Sequence, residues 1–375
     1  MPNKKRTIFT KILIWRYKYI SERQFILVLS VLVGFLAGLG TVLLKYLTLF
    51  IQSVLEGGFI RNYYYSLYFI FPIVGVWLVY LIKKNFLKKE IGHGISTTLY
   101  AISKRSGIIE RYKMFASLMV APITVGFGGS VGLQGPAVST GAAIGSNVAS
   151  MFHMNAKTRM LLIGCATAGA MSSMFKAPVA AIVFAVEIFS LDLVFTSLVP
   201  LLLASVAAVI TSYFFRGTDV LFSFELLDAW RVKDIVFYVF LGVATGIASV
   251  YFSKMYFLIT RFFAWFSNAY VKIGIAALAI GLMLYLFPPL YGEGYGLINN
   301  LLNGETEAAL NGIQYQIDFN NVWIVIAILL IIAVFKAIAM TTTFAAGGVG
   351  GIFIPTLFMG SALGNSVAKV INQFG

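Results

Sequence analysis

The stretch that decides the fold reads Gly128-Gly129-Ser130-Val131-Gly132-Leu133-Gln134-Gly135-Pro136. Its glycines allow a turn with positive φ, and Pro136 suits the first turn of a helix, where an N–H is not needed. A helix is therefore predicted to begin here and to run into the apolar residues that follow. Because the N–H groups and the dipole at a helix start attract anions, this tip would hold an anion inside a membrane.

The composition of the chain is that of a polytopic membrane protein. Of its 375 residues, 59% are hydrophobic and 11% are charged, and the mean hydropathy is +0.89, whereas soluble domains carry about 25% charged residues. The N-terminus is basic and shows no signal-peptide cleavage pattern. One cysteine and two histidines leave little scope for a disulfide framework or a metal site, so no metal and no cofactor are expected.

The net charge of +14 is explained by membrane topology. Lysines and arginines form short clusters between apolar runs, at residues 4–18, 83–89 and 104–113. The positive-inside rule places such clusters in the cytoplasm. We therefore expect no nucleic-acid partner and predict an integral protein of the bacterial inner (plasma) membrane with a cytoplasmic N-terminus.

Two short helices are predicted to enter the membrane without crossing it. Apolar runs at 24–50 and 63–82 are long enough to span, but the stretch that begins at Gly92 ends too soon, at Lys104. It is therefore predicted to be a re-entrant half-helix. The motif at 128–136 begins a second half-helix, and the two N-termini are expected to point toward each other near the midplane.

An internal repeat divides the chain. An offset of 219 aligns residues 128–148 with 347–367, with identities at Gly128/Gly347, Gly129/Gly348, Gly132/Gly351, Pro136/Pro355, Gly141/Gly360, Ala143/Ala362, Gly145/Gly364 and Val148/Val367. Weaker echoes pair Gly34 and Gly38 with Gly242 and Gly246. Duplicated halves with broken helices indicate a transporter or channel whose site lies at the repeat interface.

The predicted domains follow from this repeat. They are a basic cytoplasmic segment at 1–22, a first membrane repeat at 23–215, a polar connection at 216–235 and a second membrane repeat at 236–375. The first copy continues through residues 153–215, whereas the second stops at Gly375. We therefore expect a shortened chain, a natural short form or part of a longer protein.

Three motifs in order carry a resemblance to the CLC family of chloride channels and proton-coupled anion exchangers. Gly92-His93-Gly94-Ile95-Ser96 is similar to the family's Gly-Ser-Gly-Ile-Pro, Gly132-Leu133-Gln134-Gly135-Pro136 to Gly-x-Glu-Gly-Pro, and Gly351-Ile352-Phe353-Ile354-Pro355 to Gly-x-Phe-x-Pro. The segment from Lys176 to Glu187 adds a weaker fourth match. The resemblance covers about 24–370 and implies an all-α membrane protein, a CLC-type inverted repeat with broken, re-entrant helices. It also implies a homodimer whose anion pathways, one per subunit, use helix N-termini rather than cationic side chains.

The anion-binding and pore residues follow from the matched motifs. The set is His93, Gly94, Ile95, Ser96, Gln134, Gly135, Ile352, Phe353 and Ile354. Gln134 takes the place of the gating glutamate of the family, whose carboxylate competes with anions and carries protons. An amide cannot ionise, so a gate at Gln134 would be permanently uncharged. Glu187 matches the first of two family glutamates and Ile188 the internal proton acceptor, which leaves Glu187 as a structural acceptor or as part of a water or proton path.

Two functions remain open from the sequence. The first is an anion channel or uncoupled transporter for chloride or a similar monovalent anion, because Gln134 and Ile188 remove both titratable steps of the usual proton route. The second is a secondary active transporter of bicarbonate, fluoride or nitrate, coupled through His93 or a cation, because His93 replaces the family's central serine. An enzyme is not expected, since no nucleophile, base and orienting partner recur together and no P-loop is present.

Overall fold

The regular structure of this protein is helical throughout the described chain. The computed structural model describes residues 16, 18–55, 64–89, 91–92, 94–190, 195–218, 221–222, 231–313, 315 and 317–374. Within these residues, Gly132 and Gly351 form an isolated antiparallel β-bridge. The predicted all-α class is confirmed.

The helices follow the apolar runs of the sequence. In the first half they are α1 (Glu22–Leu55), α2 (Tyr64–Ile82), α3 (Ile95–Lys104), α4 (Lys113–Gly126), α5 (Gln134–Met151), α6 (Ala156–Phe175), α7 (Pro178–Phe189) and α8 (Phe195–Arg216). In the second half they are α9 (Ile235–Ala264), α10 (Ala269–Leu286), α11 (Tyr295–Leu302), α12 (Thr306–Ala309), α13 (Val322–Ala345) and α14 (Phe353–Phe374). A π-helical turn, Lys83–Leu87, extends α2, and short 3₁₀ turns lie at Val232–Asp234 and Pro288–Leu290.

Six of the described helices are long and apolar enough to cross a membrane. They are Glu22–Leu55, Phe69–Leu87, Thr196–Arg216, Ile235–Ala264, Ala269–Leu286 and Val322–Ala345. By contrast, the ten residues of α3 extend only about 15 Å, half of a hydrocarbon core about 30 Å thick. The prediction that this stretch is too short to span is confirmed, and its re-entrant path stays a prediction.

The chain forms two compact units, each assembled from separate segments. The first contains residues 1–44, 92–118 and 136–220, and the second contains residues 45–91, 119–135 and 221–375. The repeat boundaries predicted from the sequence stay a prediction. Most of the basic segment at 1–22 and half of the connection at 216–235 lie outside the described residues.

Small residues let the helices of the first unit pack closely. A Cβ added to Gly34 would lie 2.7 Å from the Cα of Ala204, and one added to Gly145 would lie 2.8 Å from the carbonyl carbon of Leu162. Three serines of α6 and α8 bond to neighbouring helix backbones, with Ser172 donating to Ser205, Ser173 to Gly38 and Ser212 to Ser173. The glycine- and alanine-rich sequence therefore produces close helix contact in place of large apolar side chains.

The second unit is built around α13. This helix packs against α14, α10 and α9, while α10 also packs against α2. Val76, Phe263, Ala276 and Ala346 form part of the apolar core. These helices position the two glycine turns that precede α5 and α14.

The two glycine turns have the same backbone conformation. Gly128 and Gly347, equivalent in the repeat, have φ of 95° and 89°, which favours glycine. Gly129 and Gly132 of the first motif do not have positive φ. They are needed for close approach instead: a Cβ on Gly129 would lie 2.5 Å from the carbonyl oxygen of Thr124.

Candidate functional site

The starts of α5 and α14 are joined by a pair of backbone hydrogen bonds. The N–H of Gly132 donates to the carbonyl of Gly351 at 3.0 Å, and the N–H of Gly351 donates back at 2.7 Å. A Cβ on Gly135 would lie 2.8 Å from the Cα of Gly351. The glycine motifs thus bring two helix N-termini side by side.

Two threonines repeat this symmetry on either side of the bridge. The N–H of Val349 donates to Thr124 Oγ1 at 3.1 Å, and the N–H of Ser130 donates to Thr343 Oγ1 at 3.2 Å. Both pairs are related by the same offset of 219. The second unit therefore holds its two helix starts by reciprocal contacts.

The tip of α5 carries an anionic group. One oxygen of Glu293, Oε1, accepts a hydrogen bond from the N–H of Leu133 at 2.9 Å and lies 3.4 Å from Nε2 of Gln134. Glu293 is 8% exposed. Because a helix start presents free N–H groups and a positive dipole end, this carboxylate occupies the place predicted for an anion.

Lys45 neutralises the same carboxylate. Its Nζ lies 2.8 Å from Oε2 of Glu293 and 4.3 Å from the ring centre of Tyr295. Lys45 is 5% exposed. A buried ion pair of this kind is strongly destabilised when one partner is removed, because the other charge is then left without compensation.

Gln134, the predicted gate, is oriented by its amide nitrogen. Nε2 donates to the hydroxyl of Tyr295 at 2.6 Å, and the residue is 1% exposed. Its Oε1 is buried without a hydrogen-bond partner among the described residues. A buried polar atom of this kind costs free energy unless a ligand or water satisfies it.

A second buried lysine holds the turn that carries Glu293. Lys336 in α13 is 0% exposed, and its Nζ donates to the carbonyls of Gly292 at 3.0 Å and Leu290 at 3.3 Å. The ring centre of Phe358 lies 4.7 Å from this ammonium group. The cation is therefore satisfied by backbone oxygens and an aromatic face, which fixes the backbone on one side of Glu293.

The predicted site residues of the second unit lie at these helix starts. Gln134 and Gly135 begin α5, and Phe353 begins α14. Ile354 is buried, and a Cβ on Gly132 would lie 3.2 Å from its Cβ. Ile352 is 46% exposed. The structure thus brings Gln134, Gly135 and Ile354 together around the glycine bridge.

The predicted residues of the first unit begin α3. The carbonyl of Gly94 accepts hydrogen bonds from the hydroxyls of Thr97 and Thr98 at 2.8 and 3.2 Å. Ile95 is half-buried, and Ser96 is exposed on a cavity of about 290 Å³ that also reaches Arg105 and Glu110. His93 lies outside the described residues.

Two other predictions concern residues away from these helix starts. The side chain of Glu187 is exposed near the end of α7, next to the half-buried Ile188. Among the residues that the structure describes, no three His, Cys, Asp or Glu side chains are grouped closely enough to hold a metal ion.

Four residues of the site were missed by the sequence reasoning. They are Lys45, Glu293, Tyr295 and Lys336. The available signal was the rarity of ionisable residues within apolar segments, where they are usually functional. Lys45 and Lys336 each interrupt an apolar run within a helix, and Glu293 stands between two glycines.

Comparison with known proteins finds a family that matches the sequence. The model of the voltage gated chloride channel family matches residues 74–375. A putative chloride channel protein, ClcB-like, of Ralstonia nicotianae is 26% identical over 304 residues, which make up 78% of this chain and 65% of that protein. The H(+)/Cl(-) exchange transporter ClcA of Vibrio cholerae is 26% identical over 370 residues, which are 92% of this chain and 73% of that protein.

A solved structure supports the fold. The crystal structure of a CLC-type fluoride/proton antiporter superposes with a TM-score of 0.69 at 23% identity, over 90% of this chain and 79% of that one. The chain spans 65% of the length of the ClcB-like relative.

Proposed function

Because the chain belongs to the voltage gated chloride channel family, we propose that it carries a monovalent inorganic anion such as chloride across a membrane, past the helix starts at Gln134 and Phe353. The observation that supports this most directly is the carboxylate of Glu293 on the N–H of Leu133. A helix start that binds the carboxylate of a side chain can bind a free anion of the same charge through the same N–H groups.

In the first form of this proposal the anion moves without coupled protons. Gln134 cannot gain or lose a proton at physiological pH, and the family resemblance implies that Ile188 takes the place of the internal proton acceptor of the exchangers. Glu293 stays paired with Lys45. The protein then acts as a channel or an uncoupled transporter, as a homodimer in a bacterial inner membrane with its N-terminus in the cytoplasm.

Reconstitution into liposomes tests this form. Anion efflux and internal pH are recorded together under a chloride gradient with the membrane potential clamped. We expect chloride to leave without uphill proton movement, and protein-free liposomes to retain it. Reproducible uphill proton movement driven by the chloride gradient contradicts the uncoupled form.

A second form, a proton-coupled transporter of another anion, is favoured by Glu293 itself. This buried carboxylate lies next to the anion tip, on the N–H of Leu133, and the solved structure described above is that of a fluoride/proton antiporter. Flux of chloride, fluoride, nitrate and bicarbonate would be compared in the wild type, Glu293→Gln and His93→Ser. This form predicts that Glu293→Gln retains anion flux and loses proton movement, and that His93→Ser changes the order of selectivity.

A further inference from the structure

A cavity of the first unit lies along one face of α3. Its volume is about 290 Å³, and residues four apart on the helix, such as Ser96 and Tyr100, line it. Residues at this spacing lie one above the other on a helix. The cavity extends from Gly92, before the helix begins, to Arg105, where the helix ends. A ligand that fills it would reach both ends of α3.

The end of this cavity next to the C-terminus of α3 is basic. Arg105 and Lys113 line it together with Glu110, whose Oε1 lies 3.9 Å from Nη1 of Arg105. The two side chains of this ion pair are 55% and 46% exposed, so their attraction is weak. Residues 104–113 contain four basic side chains and one acidic one. This end of the cavity therefore attracts an anion.

The turn that carries these charges is held by hydrogen bonds to its main chain. The hydroxyl of Ser146 donates to the carbonyl of Gly107 at 2.6 Å and accepts the N–H of Ile109 at 3.0 Å. Nη1 of Arg159 donates to the carbonyl of Ser106 at 3.1 Å. Because α5 and α6 fix the turn in this way, little entropy is lost in ordering its backbone when a ligand binds.

Exposed apolar side chains adjoin the basic ones. Tyr100 and Ile108 line the cavity and are 57% and 54% exposed, and Phe115, close to Lys113 in sequence, is 60% exposed. The ring centre of Tyr100 lies 5.7 Å from the guanidinium carbon of Arg105. Aromatic and basic side chains together are typical of the level at which a bilayer meets water. A small soluble anion would leave the apolar surface uncovered, whereas the acyl chains of a lipid would cover it.

We propose that this cavity binds an anionic phospholipid of the cytoplasmic leaflet. The phosphate lies between the guanidinium of Arg105 and the ammonium of Lys113, since arginine suits a phosphate group, and an acyl chain packs on Ile108 and Tyr100. The positive-inside rule gives the leaflet, and basic pockets on that side of membrane proteins suit anionic head groups. The inference goes beyond the proposed function and holds for any transported anion.

The bound lipid fixes α3 relative to the bilayer. The ten residues of α3 are too few to cross a hydrocarbon core, so this helix cannot be anchored at both interfaces as a crossing helix is. A lipid phosphate on Arg105 anchors its C-terminal end at one of them. Because the lipid binds the folded chain, anionic phospholipid should stabilise the protein.

The decisive experiment counts phosphatidylglycerol molecules bound to the full chain in detergent, by native mass spectrometry over a lipid titration. We expect the tightest-bound lipid of the wild type to lose affinity by about thirtyfold in Arg105→Gln/Lys113→Gln. The matched control is Lys88→Gln/Lys157→Gln, which removes two exposed lysines elsewhere and changes the net charge equally. The control should keep the wild-type affinity. Phosphatidylglycerol should also raise the thermal midpoint of the wild type and of the control, but not that of the first double variant.

Further arms separate the lipid from other ligands. An equal loss in both double variants overturns the proposal, because attraction by net charge alone would explain it. Phosphatidylethanolamine bound as tightly as phosphatidylglycerol also overturns it, as does displacement of the lipid by an equal concentration of glycerol 3-phosphate, which would indicate a site for soluble phosphates.

A smaller change is available if the double variant does not fold. Arg105→Gln alone should lower the affinity about fivefold, with Lys157→Gln as its control, and equal affinities in these two variants would again overturn the proposal. Because lipid binding is measured without transport, a chain that binds the lipid and carries no anion in liposomes overturns the proposed function alone.

Discussion

The two copies of the glycine repeat behave alike at the helix starts and differently along the helices that follow. Thr124 and Thr343 accept equivalent N–H groups, and Gly132 and Gly351 exchange hydrogen bonds. Downstream, Gly145 packs against the backbone of Leu162, whereas its equivalent Gly364 has no atom within 4 Å of an added Cβ.

The same difference separates the weaker echoes. Gly34 packs against Ala204, but Gly242, its counterpart in the second half, faces open space. A repeated glycine is therefore no guarantee of a repeated contact. Where the backbone of a neighbouring helix packs against the glycine, a larger residue would clash with it. Where no neighbouring helix packs there, the glycine only weakens its own helix.

The largest difference should appear between Gly145→Val and Gly364→Val. The valine at 145 must displace the backbone of Leu162 and is expected to cost about 3 kcal/mol, while the valine at 364 changes stability by less than about 1 kcal/mol. The thermal midpoint of the purified chain in detergent measures both. Equal losses in the two variants would remove the distinction between the copies.

A smaller effect with opposite signs is expected for Gly34→Ala and Gly242→Ala. The first places a methyl group against Ala204 and should destabilise by about 2 kcal/mol. The second should stabilise by about 0.5 kcal/mol, because alanine favours a helix over glycine. Thermal midpoints that move in the same direction would contradict this reading of the two positions.

The helix starts should respond equally to Thr124→Val and Thr343→Val. Each change leaves a buried N–H, of Val349 or Ser130, without its acceptor and should cost about 1–2 kcal/mol. Thermal unfolding of both variants under identical conditions tests the symmetry. A loss confined to one of them would show that the reciprocal bonds are not equivalent.

The smallest effect is predicted for Gly360→Ala. A Cβ added to its equivalent, Gly141, would lie 2.7 Å from the carbonyl oxygen of Ala166. A Cβ added to Gly360 would have no atom within 4 Å. Gly360→Ala should therefore stabilise by about 0.5 kcal/mol. The shift is measured against Gly141→Ala, which should destabilise; stabilisation by both would show that the contact at Ala166 is not restrictive.

Local chemistry made much of the fold predictable. Apolar runs gave the long helices, Pro178 marked the start of α7, and the glycine motifs located the starts of α5 and α14. These features depend on residues close in sequence, so a pattern in the chain is enough to predict them. The repeat offset also identified the two motifs that Gly132 and Gly351 join.

The ionic part of the site could not be predicted in the same way. Lys45 and Glu293 are 248 positions apart, and no local pattern tells which cation meets which carboxylate. The motif identified Gln134 as a candidate site residue. The ionisable group that lies next to its amide, the carboxylate of Glu293, comes from a different segment of the chain. Single charged residues within apolar segments were the usable signal. This signal identifies candidate site residues, but it does not tell which of them contact each other.

The position of Lys336 also bears on how the protein is made. A lysine at the centre of a helix raises the cost of inserting that helix into a membrane by about 3 kcal/mol, although α13 is long and apolar enough to cross one. The carbonyls that accept its hydrogen bonds, of Leu290 and Gly292, lie on an earlier segment. They have therefore left the ribosome before α13 does, so the ammonium can find its acceptors as soon as its own helix enters the bilayer.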